Sequence, residues 1–172
     1  MKLPPTYAQK QNYSLVVNKP DVSFKDFKSS FKEGPHKFLT NSKATFNSPV
    51  DEERKPSKFV VGSFIKINIE GPMNDAYVKV TNMEESNDYM SATFVTMEGH
   101  VEKGKITFRL YNEGENIKFS LSEVDMGLAP EKYAREQQTK SWNEVLSNIS
   151  AYLGGEEVKK ESEIVKPIKE NR

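Results

Sequence analysis

The chain has no cysteine among its 172 residues, which excludes disulfides, thiol catalysis and any cysteine-ligated metal site. Its histidines number two, His36 and His100. A zinc site would have to be completed by carboxylates, and no metal is expected. Neither sign of charge is in excess, with 25 Lys+Arg against 25 Asp+Glu. Binding to a polyanion needs a clustered basic surface, so this balance predicts no nucleic-acid partner. Also missing is any apolar run near the roughly 20 residues that span a bilayer. The opening MKLPPTYAQKQNY has no apolar stretch behind its first lysine. No secretory leader is predicted, and a cytoplasmic protein is expected. There is no Gly-x-Ser-x-Gly elbow. The EGPM at Glu70 and the EKG at Glu102 read as turns, unable to cradle a phosphate. No cofactor is implied.

What is present is an ordered run of amphipathic segments. Residues 1–11 carry Pro4 and Pro5 and read as a disordered lead-in to a single domain over 12–155. Tyr13 to Asn18 is a short β-prone run closed by Pro20. Asp21 or Ser23 then caps a helix whose Phe24, Phe27 and Phe31 share one face. Gly34-Pro35 stops it, and Phe38-Leu39 opens a second short segment. Asn47 to Ser57 is polar and proline-bounded, a loop. Ile65, Ile67 and Ile69 alternate with polar residues, the period of a half-buried strand. After Gly71-Pro72, Tyr77 to Met83 reads as another strand, and Glu84 to Asp88 as a turn.

Two hairpins are predicted next. A two-residue loop at Lys103-Gly104 sets Val101 opposite Ile106, Gly99 opposite Phe108 and Met97 opposite Leu110. A second at Glu113-Gly114 sets Leu110 opposite Ile117, Phe108 opposite Phe119 and Ile106 opposite Leu121. Both place Ile106, Phe108 and Leu110 on one apolar face, and a one-residue slip would turn that set to the wrong side. Glu98, His100, Thr107, Arg109, Lys118 and Ser120 then form a wet face, with Glu98 paired across to Arg109. On this register His100 is a surface residue; a bulge at Gly99 would reverse that.

A long helix follows from Pro130 to Leu153, about 36 Å at 1.5 Å per residue. Trp142, Val145, Leu146, Ile149, Tyr152 and Leu153 make its buried stripe. Gly154-Gly155 ends it, and 156–172, rich in lysine and glutamate, reads as a charged mobile tail. The fold class is α+β, a curved antiparallel sheet wrapped around a long C-terminal helix. Such an arrangement encloses an apolar pocket with a few placed polar groups. Tyr77, Met97, Phe108, Phe119, Tyr133, Gln138, Ser141 and Trp142 are its candidate ligand-binding residues. Gln138 lies one turn before Trp142, and an inward amide must find a partner.

Gly99, His100, Glu102 and Gly104, followed by Glu136, Gln138 and Trp142, match a Gly-His-x-Glu-x-Gly hairpin and a Glu-x-Gln-x-x-x-Trp helix. With the element order, they resemble the helix-grip superfamily of START domains, polyketide cyclases and the birch-pollen allergen (SRPBCC). Within it, the likeness is nearest to a bacterial family of unknown function. Lys140 departs from that family's histidine, and the link Asp125 to Ala129 is shorter. The resemblance implies seven strands gripping the terminal helix around a hydrophobic cavity that takes a lipid, sterol or polyketide-like molecule. Two further readings stand beside a binding protein: a cyclase or dehydratase using the same cavity, and a protein-interaction module whose cavity is collapsed. No catalytic residue is assigned, and the sequence does not specify an oligomeric state.

Overall fold

The computed structural model describes residues 7–69, 75–97, 104–127 and 132–169, with side chains over 10–68, 77–97, 104–124 and 138–164. The elements run β1 (Tyr7–Asn18), α1 (Phe24–Glu33), α2 (Pro35–Leu39), β2 (Ala44–Phe46), β3 (Phe64–Ile69), β4 (Asp75–Ser86), β5 (Tyr89–Thr96), β6 (Gly104–Glu113), β7 (Asn116–Gly127), α3 (Lys132–Leu153) and β8 (Glu156–Lys169). All eight strands form one antiparallel sheet in the order β2-β3-β4-β5-β6-β7-β1-β8. The curled sheet carries α3 against its inner face, which is the helix-grip arrangement.

The inner face is built by alternation. Ile65 and Ile67 in β3, Val78 and Val80 in β4, Phe108 and Leu110 in β6, and Ile117, Phe119 and Leu121 in β7 are all buried. Trp142, Val145, Leu146, Ile149 and Leu153 of α3 close over them. Each such side chain is worth about 1.5–3 kcal/mol at most, so α3 cannot stand free of the sheet. Tyr152 leaves the predicted stripe. It is 36% exposed, and its ring instead packs 4.9 Å from Phe38 while its hydroxyl donates to Ser30. Ser23 caps α1 through a 3.1 Å bond from Asp26 N–H, and Phe24, Phe27 and Phe31 are buried as their spacing predicts.

The hairpins differ from the predicted register in instructive ways. The β6–β7 loop is Gly114-Glu115, with Glu113 opposite Asn116, so Phe108 faces Leu121 and Leu110 faces Phe119. The shift is two residues, which preserves the face. Gly114 has φ +63°, the left-handed first position that a II′ turn reserves for glycine. The β5–β6 register moves further. Met90, Ala92 and Phe94 oppose Leu110, Phe108 and Ile106, and Gly104 opens the strand instead of turning it. The reason is burial: this pairing seats Met90, Ala92 and Phe94 inside, with the Phe94 ring 5.1 Å from Phe108. Arg109 therefore lies opposite Ser91 rather than Glu98. Residues 98–103, including Gly99, His100 and Glu102, lie outside the described residues. Thr107 keeps its outer position but is buried, 3.1 Å from the Thr93 hydroxyl.

Two segments that composition marks as tails are strands. β1 begins at Tyr7, and β8 runs antiparallel along it from Asn18–Glu156 to Tyr7–Lys169, making an eighth strand beside the seven implied. β8 is held by peptide groups, which its lysine and glutamate content does not reveal. The reversal from α3 into β8 depends on glycine. Gly155 has φ +68°, and a Cβ there would lie 2.6 Å from the carbonyl oxygens of both Asn18 and Lys19.

Candidate ligand site

The interior between the sheet and the helices has two chemically different halves. Between α1 and the central strands it is filled with rings. Phe31 lies 6.2 Å from Phe59, Phe59 5.8 Å from Phe94, and Phe108 6.2 Å from Phe119 and 6.1 Å from Trp142. Centroid separations of about 4.5–7 Å are those of packed aromatic pairs, so this half is core. Phe108 and Phe119 are fully buried in it.

At Trp142 the lining turns polar. The indole Nε1 donates to Glu123 Oε2 at 2.6 Å, and Glu123 is only 4% exposed. Glu123 sits there because β7 continues its inward alternation past Ile117, Phe119 and Leu121. In the sheet it stands between Gln11 of β1 and Ile106 of β6. Gln11 is fully buried. Its Nε2 donates to Gln138 Oε1 at 2.9 Å, and its Oε1 accepts from the Tyr13 hydroxyl at 2.6 Å. That hydroxyl also lies 3.4 Å from Thr139 Oγ1. Ser141, on the same stretch of α3, is buried. Sheet and helix are thus joined here by polar contacts instead of rings. Burying a polar group costs free energy unless its bonds are made, so a sequence selected only for a stable core would place apolar residues at these positions. The set can present an amide, hydroxyls and a carboxylate to a polar group of a bound molecule, next to an aromatic wall.

The candidates named from the sequence divide accordingly. Gln138, Ser141 and Trp142 come together at this polar boundary, and Phe108 and Phe119 form the packed floor behind Trp142. Tyr77 and Met97 do not join them. Tyr77 opposes Lys66 while its neighbour Val78 opposes the buried Ile65, so Tyr77 takes the outer face, where the Arg54 guanidinium lies 4.1 Å from its ring. Met97 N–H donates to Tyr77 C=O at 3.1 Å, and the β5 alternation puts Met97 on the side opposite Phe94. The Tyr133 side chain lies outside those described. Gln11, Tyr13, Glu123 and Thr139 were missed. For Glu123 the signal was available, since period two from Ile117 reaches it. Gln11 was hidden in the proline-led segment taken for a lead-in.

His36 is remote from this site, in α2. Its Nδ1 is buried with no hydrogen-bond partner among the described residues, and burial, then the charge of Lys37, holds its pKa below the ordinary 6.5. Among the described residues no group of three or more His, Asp or Glu is placed to hold a metal ion. None of the described helices is long and apolar enough to cross a membrane. A cleft of about 380 Å³ opens near Pro20, Ser23 and Gly114, at the opposite end of β6 and β7 from Glu123, and does not belong to this site.

Comparison with solved structures places the fold. The chain is similar to ginseng major latex-like protein 151 from Panax ginseng, with 18% identity and a TM-score of 0.56 over 84% of this chain and 98% of that one. It is also similar to a START superfamily protein from Mycobacterium smegmatis, with 8% identity and a TM-score of 0.55 over 84% and 97%. No protein-family model matches the sequence, and neither does any curated protein. At these identities the shared property is the fold, the helix grip of START and birch-pollen-allergen-like proteins.

Proposed function

We propose that the protein is a soluble, cytoplasmic binding protein for a small hydrophobic molecule, held between the sheet and the first half of α3. The apolar body of the ligand rests against Trp142, and its polar group meets Gln138, Ser141 and Glu123. The observation that carries this reading is the polar set Gln11–Tyr13–Gln138 between β1 and α3, next to the buried Glu123–Trp142 bond. The helix-grip fold supports it, because a helix laid over a curled sheet is an arrangement able to enclose the concave apolar surface that small ligands occupy. Lipids, sterols and polyketide-like aromatics are the ligand classes that fit an apolar body with a hydroxyl or carbonyl end.

Trp142 is the only tryptophan, so its emission reports on occupancy without labelling. Titration with a long-chain alcohol, a sterol and a flavonoid should shift that emission and raise the melting temperature for at least one of them, since a ligand bound only to the folded state stabilises it. Gln138→Leu should weaken the shift at least tenfold with little change in fold. Emission and melting temperature unmoved by all three would overturn the reading in favour of a filled, ligand-free interior.

A second reading is favoured by one residue. Glu123 is a carboxylate inside the groove, and general acid–base work of the cyclase or dehydratase kind needs such a group within hydrogen-bond reach of substrate. Glu123→Gln separates the two. It abolishes turnover of a bound substrate if the carboxylate moves protons; if the protein only holds its ligand, no candidate substrate is turned over by either form, and the amide, which keeps an acceptor, weakens binding only modestly.

A further inference from the structure

β8 closes one edge of the sheet and leaves another open. It pairs with β1 on one side and is terminal on the other, so along its regular stretch 159–165 alternate peptide N–H and C=O groups point away from the molecule. Both of its faces are solvated as well. All its described side chains are exposed, including Val158 at 59% and Ile164 at 45%. The other terminal strand, β2, has three residues and buries Phe46 against Trp142. The long edge is therefore the one able to take another strand.

We propose that β8 pairs antiparallel with β8 of a second copy of this chain, about a two-fold axis at Glu161. Symmetry restricts the choice of register. Residues opposed across an antiparallel pair share a face, so a two-fold perpendicular to the sheet must set one residue against its own copy. Centring on Lys160 sets Lys159 against Glu161 twice but opposes Lys160 to itself on the face it shares with Ser162 and Ile164, where no carboxylate stands beside it. Centring on Ser162 opposes Glu161 to Glu163 twice. Centring on Glu161 sets Lys159 against Glu163 twice and Lys160 against Ser162 twice, all within the regular stretch 159–165. Opposite charges placed this way stabilise a ladder, and like charges oppose it.

The single like pair, Glu161 with itself, is flanked by cations. Lys159 Nζ is 3.3 Å from Glu161 Oε2 of its own chain. Lys159, Glu161 and Glu163 share the outer face through their partners Val16, Ser14 and Asn12. Each Lys159 would thus lie between its own Glu161 and the second copy's Glu163. The ladder irregularities of β8 fall near its ends, at Val158 and at Lys166–Pro167, which have no β1 partner. The segment that carries the proposed pairs at its centre is regular.

Sedimentation of the full chain over a concentration series tests this. A monomer–dimer equilibrium is expected. Glu163→Lys should raise its dissociation constant at least tenfold, and Lys159→Glu combined with Glu163→Lys should restore it, with circular dichroism confirming the fold. Because the native chain has no cysteine, Glu161→Cys supplies one thiol that meets its own copy and should give a disulfide-linked dimer on mild oxidation. Lys160→Cys should not, since in this register the two copies of residue 160 are diagonal neighbours, roughly 7–8 Å apart and beyond easy bridging. A monomer at every concentration overturns the proposal and leaves the edge to some other occupant. So does a dimer indifferent to Glu163→Lys, or one that Glu161→Cys does not link.

Discussion

Glu123 and Trp142 meet where the groove changes from ring packing to hydrogen bonding, and each holds the other in place. Glu123→Ala leaves a buried indole N–H without this acceptor, at a cost of about 1–3 kcal/mol. Urea unfolding should show that loss, accompanied by a shift in Trp142 emission, while Glu123→Gln, which keeps an acceptor, should lose less. Gly155 is sensitive for another reason. Its left-handed φ and its crowding against the Asn18 and Lys19 carbonyls make Gly155→Ala destabilising by about 1–3 kcal/mol, measurable by the same titration. Residues of this kind were unevenly legible. Glu123 stands in the inward phase of β7, whereas the partner that makes Gln11 part of the site is 127 positions away in sequence. No local pattern records such a contact.

Among the elements, α3 shows how well a strong period survives folding. Its stripe of Trp142, Val145, Leu146, Ile149 and Leu153 is buried as its spacing predicts. Leu146→Ala should therefore cost about 2–5 kcal/mol in chemical unfolding, the range for emptying a packed core position. Val158→Ala, at an exposed position on β8, should cost far less. Strand register was less legible than strand identity. In β6–β7 the predicted face held because a two-residue error preserves it. In β5–β6 the choice lay between seating Met97 and Gly99 or Met90, Ala92 and Phe94, and the larger, more apolar set is the one buried. β8 carried no usable period, since an edge strand wet on both faces needs no apolar alternation.

The molecule as a whole closes through its ends, with β1 inserted between β7 and β8. Its acid response should be staged. His36 is held below its ordinary pKa of 6.5 by burial, then by Lys37. The unfolded chain therefore takes up that proton first, and stability falls as pH drops below about 6.5. Glu85 is held low by its bonds from Lys32 and Lys28, and Glu144 by those from the Ser42 hydroxyl and N–H. Their contribution is complete above the ordinary carboxylate value of 4.5 and is lost as pH falls through their lowered values. Melting temperatures between pH 8 and 3 should show both declines, and His36→Gln should remove the first alone. What the sequence by itself determined was the set of amphipathic segments, their order and which face of each is apolar, because those follow from short-range periods of 2 and 3.6. The tertiary structure alone decided strand register, the recruitment of both terminal segments into the sheet and the meeting of Gln11, Glu123 and Gln138. Those outcomes depend on backbone hydrogen bonds and on competition between distant partners for the same buried space.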